Sequence, residues 1–487
     1  MPVVNIAGLR KAMQPLKVFL RHCQLAVALF VVLGGLTLSF AQTQPLLPAE
    51  SRSSIDEIAK GALSTTGVPS ASVAVVVGGK TAYLQAYGDA RLEPKLAATP
   101  EMQYSVGSIS KQFTAAAILL LQEQGKLSLD DHVSKYVPGL TRGNEVTIRQ
   151  LLSHTSGYQD YWPQDYVMQT MLQPTTAQQI LDRWARIPLD FDPGTKWQYS
   201  NTNYVIAGLI VEKVAGMPML QLLHQHVFDP LDMKSIANVD EAKLPETDPE
   251  GYFRYALGPL RPAPKEGKGW IFAAGELAMN ATDLAKWDIS LINRSVLKPA
   301  SYRELETEVV LNNGVGTRYG LGMAVTSLSG RRVLEHSGEV SGFTAENIVL
   351  PDDGFAVVVL TNQDAAGAAS QIGRGVANWF LQRENVQDPK QDALVRKVFD
   401  GLKQGTIDRS LLTDNANVYF SAQALKDYGG SLAPLGEPQS FVQSSVSLRG
   451  GMTHRSYQVK YPQKTLGINI YEMPDGKFEQ YLISVQE

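Results

Sequence analysis

The chain runs to 487 residues, 44% of them apolar and 19% charged, with a formal net charge of −4 and one cysteine. At roughly 150 residues per domain, that length accommodates two or three domains, each large enough to bury a core. The mild acidity and lack of a long basic stretch beyond the first residues exclude a nucleic-acid surface, and Cys23, alone in the leader, leaves the rest of the chain without disulfides, thiol nucleophiles or thiolate metal sites.

The first 41 residues read as a leader. Arg10, Lys11, Lys17 and Arg21 precede an apolar run over 25–40, and Ser39-Phe40-Ala41 offers the small residues of a cleavage site. This pattern predicts a signal peptide over 1–41, cleaved near Ala41, and a periplasmic or secreted chain. The run is also close to the ~18 apolar residues of a membrane span, so an uncleaved leader would be an anchor.

Residues 42–54 are polar and proline-broken, and 55–63 have a short helical spacing. Val73, Val75 and Val77 alternate before Gly78-Gly79, with Tyr83 and Ala86 after it, which predicts a hairpin over 70–87. Helical spacing then covers 113–124, 148–152, 177–187, 204–214 and 282–292, with Gly125, Pro188 and Gly216 as stops. Strands return at 344–350 and 355–361, either side of Pro351-Asp352-Asp353-Gly354. Strands at both ends with helices between predict an α+β domain over 55–381, whose antiparallel β-sheet is flanked by helices and pairs the two ends of the domain around a mostly helical insert.

Residues 382–393 are polar and read as a linker. Residues 394–487 predict a small C-terminal α+β accessory domain, with a helix over 394–402 followed by alternating strands around Tyr457, Ile468 and Tyr481 and a turn at Pro474-Asp475-Gly476. Its helix-then-curved-sheet pattern resembles the NTF2-like fold. It carries no motif of chemistry, which leaves packing or cell-wall association as its expected role.

Chemistry concentrates in three strings. In Ser108-Ile109-Ser110-Lys111 a hydroxyl and an amine sit three residues apart at the head of an apolar run. Positions i and i+3 share a helix face, so with a helix starting near Ser108 the amine reaches the hydroxyl, and the helix N-terminus stabilises negative charge beside it. Alone, such a string also describes a helix cap followed by a solvated lysine. Tyr199-Ser200-Asn201 alone describes a turn with a buried tyrosine, and His336-Ser337-Gly338 alone a histidine at a strand edge.

With Thr147-Ile148-Arg149-Gln150-Leu151-Leu152-Ser153-His154-Thr155-Ser156-Gly157, Ala273-Ala274-Gly275, Thr282-Asp283-Leu284-Ala285-Lys286-Trp287 and Tyr319-Gly320-Leu321-Gly322 in the same order, residues 55–380 resemble the serine β-lactamase and penicillin-binding-protein superfamily, in its class C and esterase-like branch. The resemblance implies a serine hydrolase in which Ser108 is acylated, Lys111 and Tyr199 share proton transfer, and Asn201 touches the lysine and the substrate amide; with the leader, the expectation is an exported enzyme. It further implies a substrate-binding strand at His336, Ser337 and Gly338, and an oxyanion hole made by the backbone N–H groups of Ser108 and Glu339. It implies no cofactor and no metal, and the histidines show no paired-ligand pattern.

The main departure from the family is His336, which stands where class C β-lactamases have a lysine. With a reference pKa near 6.5, histidine is mostly neutral at pH 7, which turns the expectation from carboxylate-bearing β-lactams toward neutral esters and D-amino-acid-containing amides or peptides. The rivals are a true class C-like β-lactamase and a non-hydrolysing receptor of penicillin-binding-protein type; retained Tyr199 and Asn201 favour turnover over the latter. His154 is expected to be structural and not part of a Ser-His-Asp triad. Loops 159–175 and 241–268 set the pocket width and have no readable pattern.

Overall fold

A computed structural model describes residues 47–385 and 389–486. The leader expected over 1–41 lies outside the described residues.

The first helix among the described residues, α1 (Ala49–Thr66), begins directly after Pro48, ahead of the expected residue 55. Proline is tolerated there because the first N–H groups of a helix have no intrahelical partner, and Glu50 complements the dipole in the first turn. The hairpin follows as expected, β1 (Ser70–Val77) and β2 (Lys80–Arg91). Its Gly78 and Gly79 have φ of +59° and +69°, the two left-handed positions that a type I′ turn requires. A short edge strand, β3 (Leu96–Ala97), leads into the insert.

The expected helices appear in the insert. Two of them carry site residues, α2 (Ser110–Glu123) and α3 (Asn201–Ala215), and α4 (Ala281–Asn293) packs in the same core. The pattern over 177–187 resolves into a short α-turn, Ala177–Ile180, and a π-turn, Leu181–Ala185. Strands then resume as β4 (Ala324–Leu328), β5 (Arg331–Val340), β6 (Phe343–Leu350) and β7 (Phe355–Thr361), followed by α5 (Ala368–Asn385). All seven form one antiparallel sheet in the order β3-β2-β1-β7-β6-β5-β4. The two ends of the domain therefore pair at its centre, with Ala71 opposite Thr361 and Val75 opposite Val357.

Alternation sorts the central strands onto two faces. Val73, Val75, Val357 and Val359 pack with Ile55 of α1 and Ile372 of α5, whereas Ala74, Val76, Val358 and Leu360 join the core of the insert. At about 1.5–3 kcal/mol for each large side chain fully buried, both faces contribute strongly to stability. α2 lies wholly in the second core: every residue from Ser110 to Leu121 is buried.

The segment 382–393, expected as a linker, is helical at both ends. α5 runs to Asn385 and α6 (Pro389–Lys403) begins with a proline in its first turn, again where no N–H is required, and with Asp392 close behind. Two short helices follow, α7 (Asp414–Tyr419) and α8 (Ala422–Leu432). The chain ends in a four-stranded meander, β8 (Ser440–Arg449), β9 (Met452–Lys460), β10 (Thr465–Glu472) and β11 (Phe478–Gln486). A separate core joins Val395, Phe399 and Leu402 of α6 to Tyr457, Ile468 and Tyr481 of the sheet.

Candidate active site

Ser108 sits in a 3₁₀ turn, Gly107–Ile109, that runs straight into α2. This turn is pressed against β5. Gly107 has φ +51°, and a Cβ there would lie 2.7 Å from the Glu339 nitrogen; a Cβ on Gly338 would lie 1.9 Å from the Val106 carbonyl oxygen. Only glycine at both positions lets the two backbones approach so closely. The approach sets the Ser108 and Glu339 amides on adjoining segments, as an oxyanion hole requires.

Lys111 is completely buried, one helical turn on from Ser108. Its Nζ is 2.9 Å from Ser108 Oγ, 2.8 Å from Asn201 Oδ1 and 2.8 Å from the Ala274 carbonyl oxygen. Burial pushes the amine down from 10.5 to about 7, against an opposing pull from the Asp160 charge. A neutral amine has two hydrogens and one lone pair. Because Ala274 O and Asn201 Oδ1 can only accept, the two hydrogens go to them and the lone pair is left for the Ser108 hydroxyl.

Tyr199 Oη lies 2.8 Å from Ser108 Oγ on the other side. Burial raises its phenol well above the ordinary value, so Tyr199 keeps its proton and donates it to Oγ. Lysine and tyrosine thus meet the serine in complementary states, one poised to take a proton and one to give it. Among the described residues, Ser108 Oγ bonds to these two side chains and to no histidine.

Asn201 is the first residue of α3, and Asp160 fixes its amide. The Asp160 carboxylate accepts the Asn201 backbone N–H at 2.9 Å and its Nδ2 at 3.2 and 3.3 Å, which turns Oδ1 toward Lys111. Burial raises the Asp160 carboxyl, and bonds from the Trp162 and Asn201 amides pull it back. Sequence reasoning missed Asp160 because it lies in a loop without periodicity.

His336 is 8% exposed on β5. Its Nδ1 is 2.5 Å from the Ser337 carbonyl oxygen and its Nε2 2.8 Å from Tyr319 Oη. Since a carbonyl only accepts, Nδ1 carries the hydrogen and Nε2 accepts from the tyrosine. Burial, helped by the nearby Lys111, pushes the imidazole down to about 4, so His336 is neutral at pH 7, as its reference value suggested. Tyr319, quoted from the sequence only within a string, is thus the group that holds it.

These residues open into a cavity of about 670 Å³ lined by Ser108, Tyr199, Asn201, His336, Ser337 and Glu339. Trp162, Tyr166 and Trp197 give it an aromatic wall, and Asp165 and Asp364 lie beside Glu339, with no lysine or arginine in the lining among the described residues. Burial, with the charges of Asp364 and Asp165, raises the Glu339 carboxyl against a 2.8 Å bond from the Ala365 N–H.

The family model described as Beta-lactamase matches residues 55–376, the domain that holds this site. Penicillin-binding protein 4* of Bacillus subtilis is 28% identical over 344 residues, 67% of this chain and 75% of that protein. A D-aminopeptidase of Brucella anthropi is 26% identical over 317 residues, 64% of this chain, and the match spans only 59% of that enzyme's length. The solved structure of a D-stereospecific amidohydrolase from Streptomyces sp. is similar at a TM-score of 0.58 and 28% identity, covering 66% of this chain and 97% of that one.

Proposed function

The chain belongs to the β-lactamase family, a serine hydrolase fold, and from that premise we propose that it is an exported hydrolase working through a Ser108 acyl-enzyme on esters or D-amino-acid-containing amides and peptides. The observation that carries this reading is the Ser108 hydroxyl held between the Lys111 amine at 2.9 Å and the Tyr199 phenol at 2.8 Å, opening into the cavity. Export rests on the leader pattern of residues 1–41.

In acylation Lys111 takes the Ser108 proton as Oγ attacks the acyl carbon. The carbonyl oxygen becomes negative and is met by the N–H groups of Ser108 and Glu339, a contribution of about 10²–10³ in rate for each donor. As the tetrahedral adduct collapses, Tyr199 passes its proton to the departing amine or alcohol, and Lys111 returns its extra proton to the phenolate. Water then enters and attacks the acyl carbon as Lys111 takes its proton; the bond from carbon to Oγ breaks, Tyr199 gives its proton to Oγ and Lys111 restores the phenol, which releases the acid and free Ser108. General acid–base transfer of this kind contributes about 10²–10⁴.

The neutral His336 and the carboxylates of Glu339, Asp165 and Asp364 make the cavity unfavourable for a substrate carboxylate and favourable for neutral or amine-bearing acyl donors. The names of the D-aminopeptidase and D-stereospecific amidohydrolase relatives point the same way. A β-lactamase reading draws on one observation: Arg318 lines a groove of about 620 Å³ on the other side of His336 and could serve as the missing cation.

The test is parallel turnover of nitrocefin, short acyl esters, D-amino-acid amides and D-Ala-D-Ala peptides by wild type and Ser108→Ala. Ester or amide turnover that exceeds nitrocefin turnover and depends on Ser108 supports the reading. Efficient nitrocefin hydrolysis transfers it to the β-lactamase. Acylation without release leaves a receptor.

A further inference from the structure

His154 is completely buried, yet it bonds to none of the reacting groups. Its backbone is left-handed, φ +58°, which a histidine adopts at a cost. Three of its features converge on one short segment. Its carbonyl oxygen accepts the Gln198 N–H at 3.0 Å, and its Nδ1 accepts the Ser200 N–H at 3.2 Å. Between those two bonds, its ring lies 4.3 Å from the ring of Tyr199, tilted by 35°. The residues before and after Tyr199 are therefore held by their main chain while the phenol is held by its face.

The imidazole also meets Tyr204 at 5.3 Å and Tyr319 at 4.9 Å, and Tyr319 in turn holds His336. Because Nδ1 accepts, the ring hydrogen sits on Nε2, and that buried atom has no hydrogen-bond partner among the described residues. An unfavourable backbone and an unpartnered N–H persist only where the surroundings over-determine them.

We propose that His154 is the positioning residue of the site: it sets the approach of the Tyr199 phenol to Ser108 and, through the Ser200 N–H, the start of α3 that carries Asn201. This rests on the hydrolytic reading of Tyr199 given above. Two substitutions separate it from mere space-filling. His154→Phe keeps a ring but removes the acceptor, leaving the buried Ser200 N–H unpaired. His154→Asn keeps an acceptor at the same branch position and tolerates the left-handed backbone, but has no ring.

Steady-state hydrolysis of a short acyl ester, with thermal unfolding of each variant, reads the outcome. The Phe variant is expected to lose about 10–100-fold in kcat with KM within about 3-fold, and the Asn variant to stay within about 5-fold of wild type. Wild-type kcat in the Phe variant, equal kcat losses in both, or a loss confined to KM overturns the inference. Where the Phe variant does not fold, the Asn variant decides: near-wild-type kcat supports the acceptor role, and a loss as large as that of Tyr199→Phe overturns it. Tyr199→Phe run alongside separates the two layers, since full activity there removes the reading beneath, whereas a deficit there with none in His154→Phe removes only this inference.

Discussion

Residues 47–385 bury the side chains of Lys111, His154, His336, Glu276 and Asp288, whereas the buried polar residues among 389–486 are Gln391 and Gln443. In the latter region the described acidic and basic side chains stay in reach of solvent even when paired, as with Arg455 and Glu472 at 3.0 Å, 14% and 15% exposed. Taking an ionisable group out of water costs several kcal/mol unless it is neutralised or paired, and the second region keeps its described acidic and basic groups out of that cost. The first region carries the cost around Ser108, where the shifted protonation it produces is useful. It carries it elsewhere too. Burial lifts the Glu276 carboxyl to about 8, and Asp288 is held by the Asn347 amide at 2.7 and 2.8 Å, so buried ionisable groups are found in this region both at the candidate site and away from it.

The contrast breaks first at the nucleophile. Ser108→Ala is expected to abolish labelling by a fluorescent β-lactam or fluorophosphonate and to lower turnover by at least ~10³-fold; surviving label would place the nucleophile elsewhere. Lys111→Ala and Tyr199→Phe should each lower kcat by ~100-fold or more, and equal activity in either would move the proton transfer to another group. His336→Lys restores a fixed cation on β5. Its expected effect is a ~5–50-fold gain in kcat/KM for nitrocefin relative to an acyl ester, and no relative change would remove His336 from substrate selection.

A pH series sharpens the point. Only the neutral amine of Lys111 accepts a proton, so kcat/KM should rise with pH through about 7. The Asp160 charge holds that value up, so Asp160→Asn should move the acid limb to lower pH; an unmoved or raised limb would mean another group is titrating. The smallest effect on activity is expected in the second region. Tyr481→Phe removes a 2.9 Å bond to the Val395 carbonyl and should cost about 1 kcal/mol in denaturant unfolding while leaving kcat unchanged. A parallel fall in kcat would tie that region to catalysis.

What could be read from the sequence was whatever lies within a few consecutive residues. The paired glycines of the β1–β2 hairpin, the Pro351-Asp352-Asp353-Gly354 turn between β6 and β7, and the three short strings around Ser108, Tyr199 and His336 each state their geometry locally. Asp160 does not, because its role exists only once loop 159–175 folds back onto the start of α3. The partnership of Tyr319 with His336 was hidden for the same reason. In β8 the alternation is interrupted by a bulge between Gln443 and Ser445, which shifts the apolar positions out of phase and concealed the strand.

The pairing of β1 with β7 also dictates the order in which the molecule comes into being. Synthesised from the amino end, β1 and β2 emerge as a lone hairpin, a unit marginal in water. Their central neighbour appears only roughly 280 residues later, a very non-local contact that slows closure. The turn bearing Ser108 likewise waits for Gly338 and Glu339 to press against it. A chain halted on the ribosome before β5 already contains the serine, the lysine and the tyrosine, yet has no place for an oxyanion. Competence for the proposed chemistry is therefore a product of β5, β6 and β7, the last strands of this sheet to be made, and it arises together with the closed sheet.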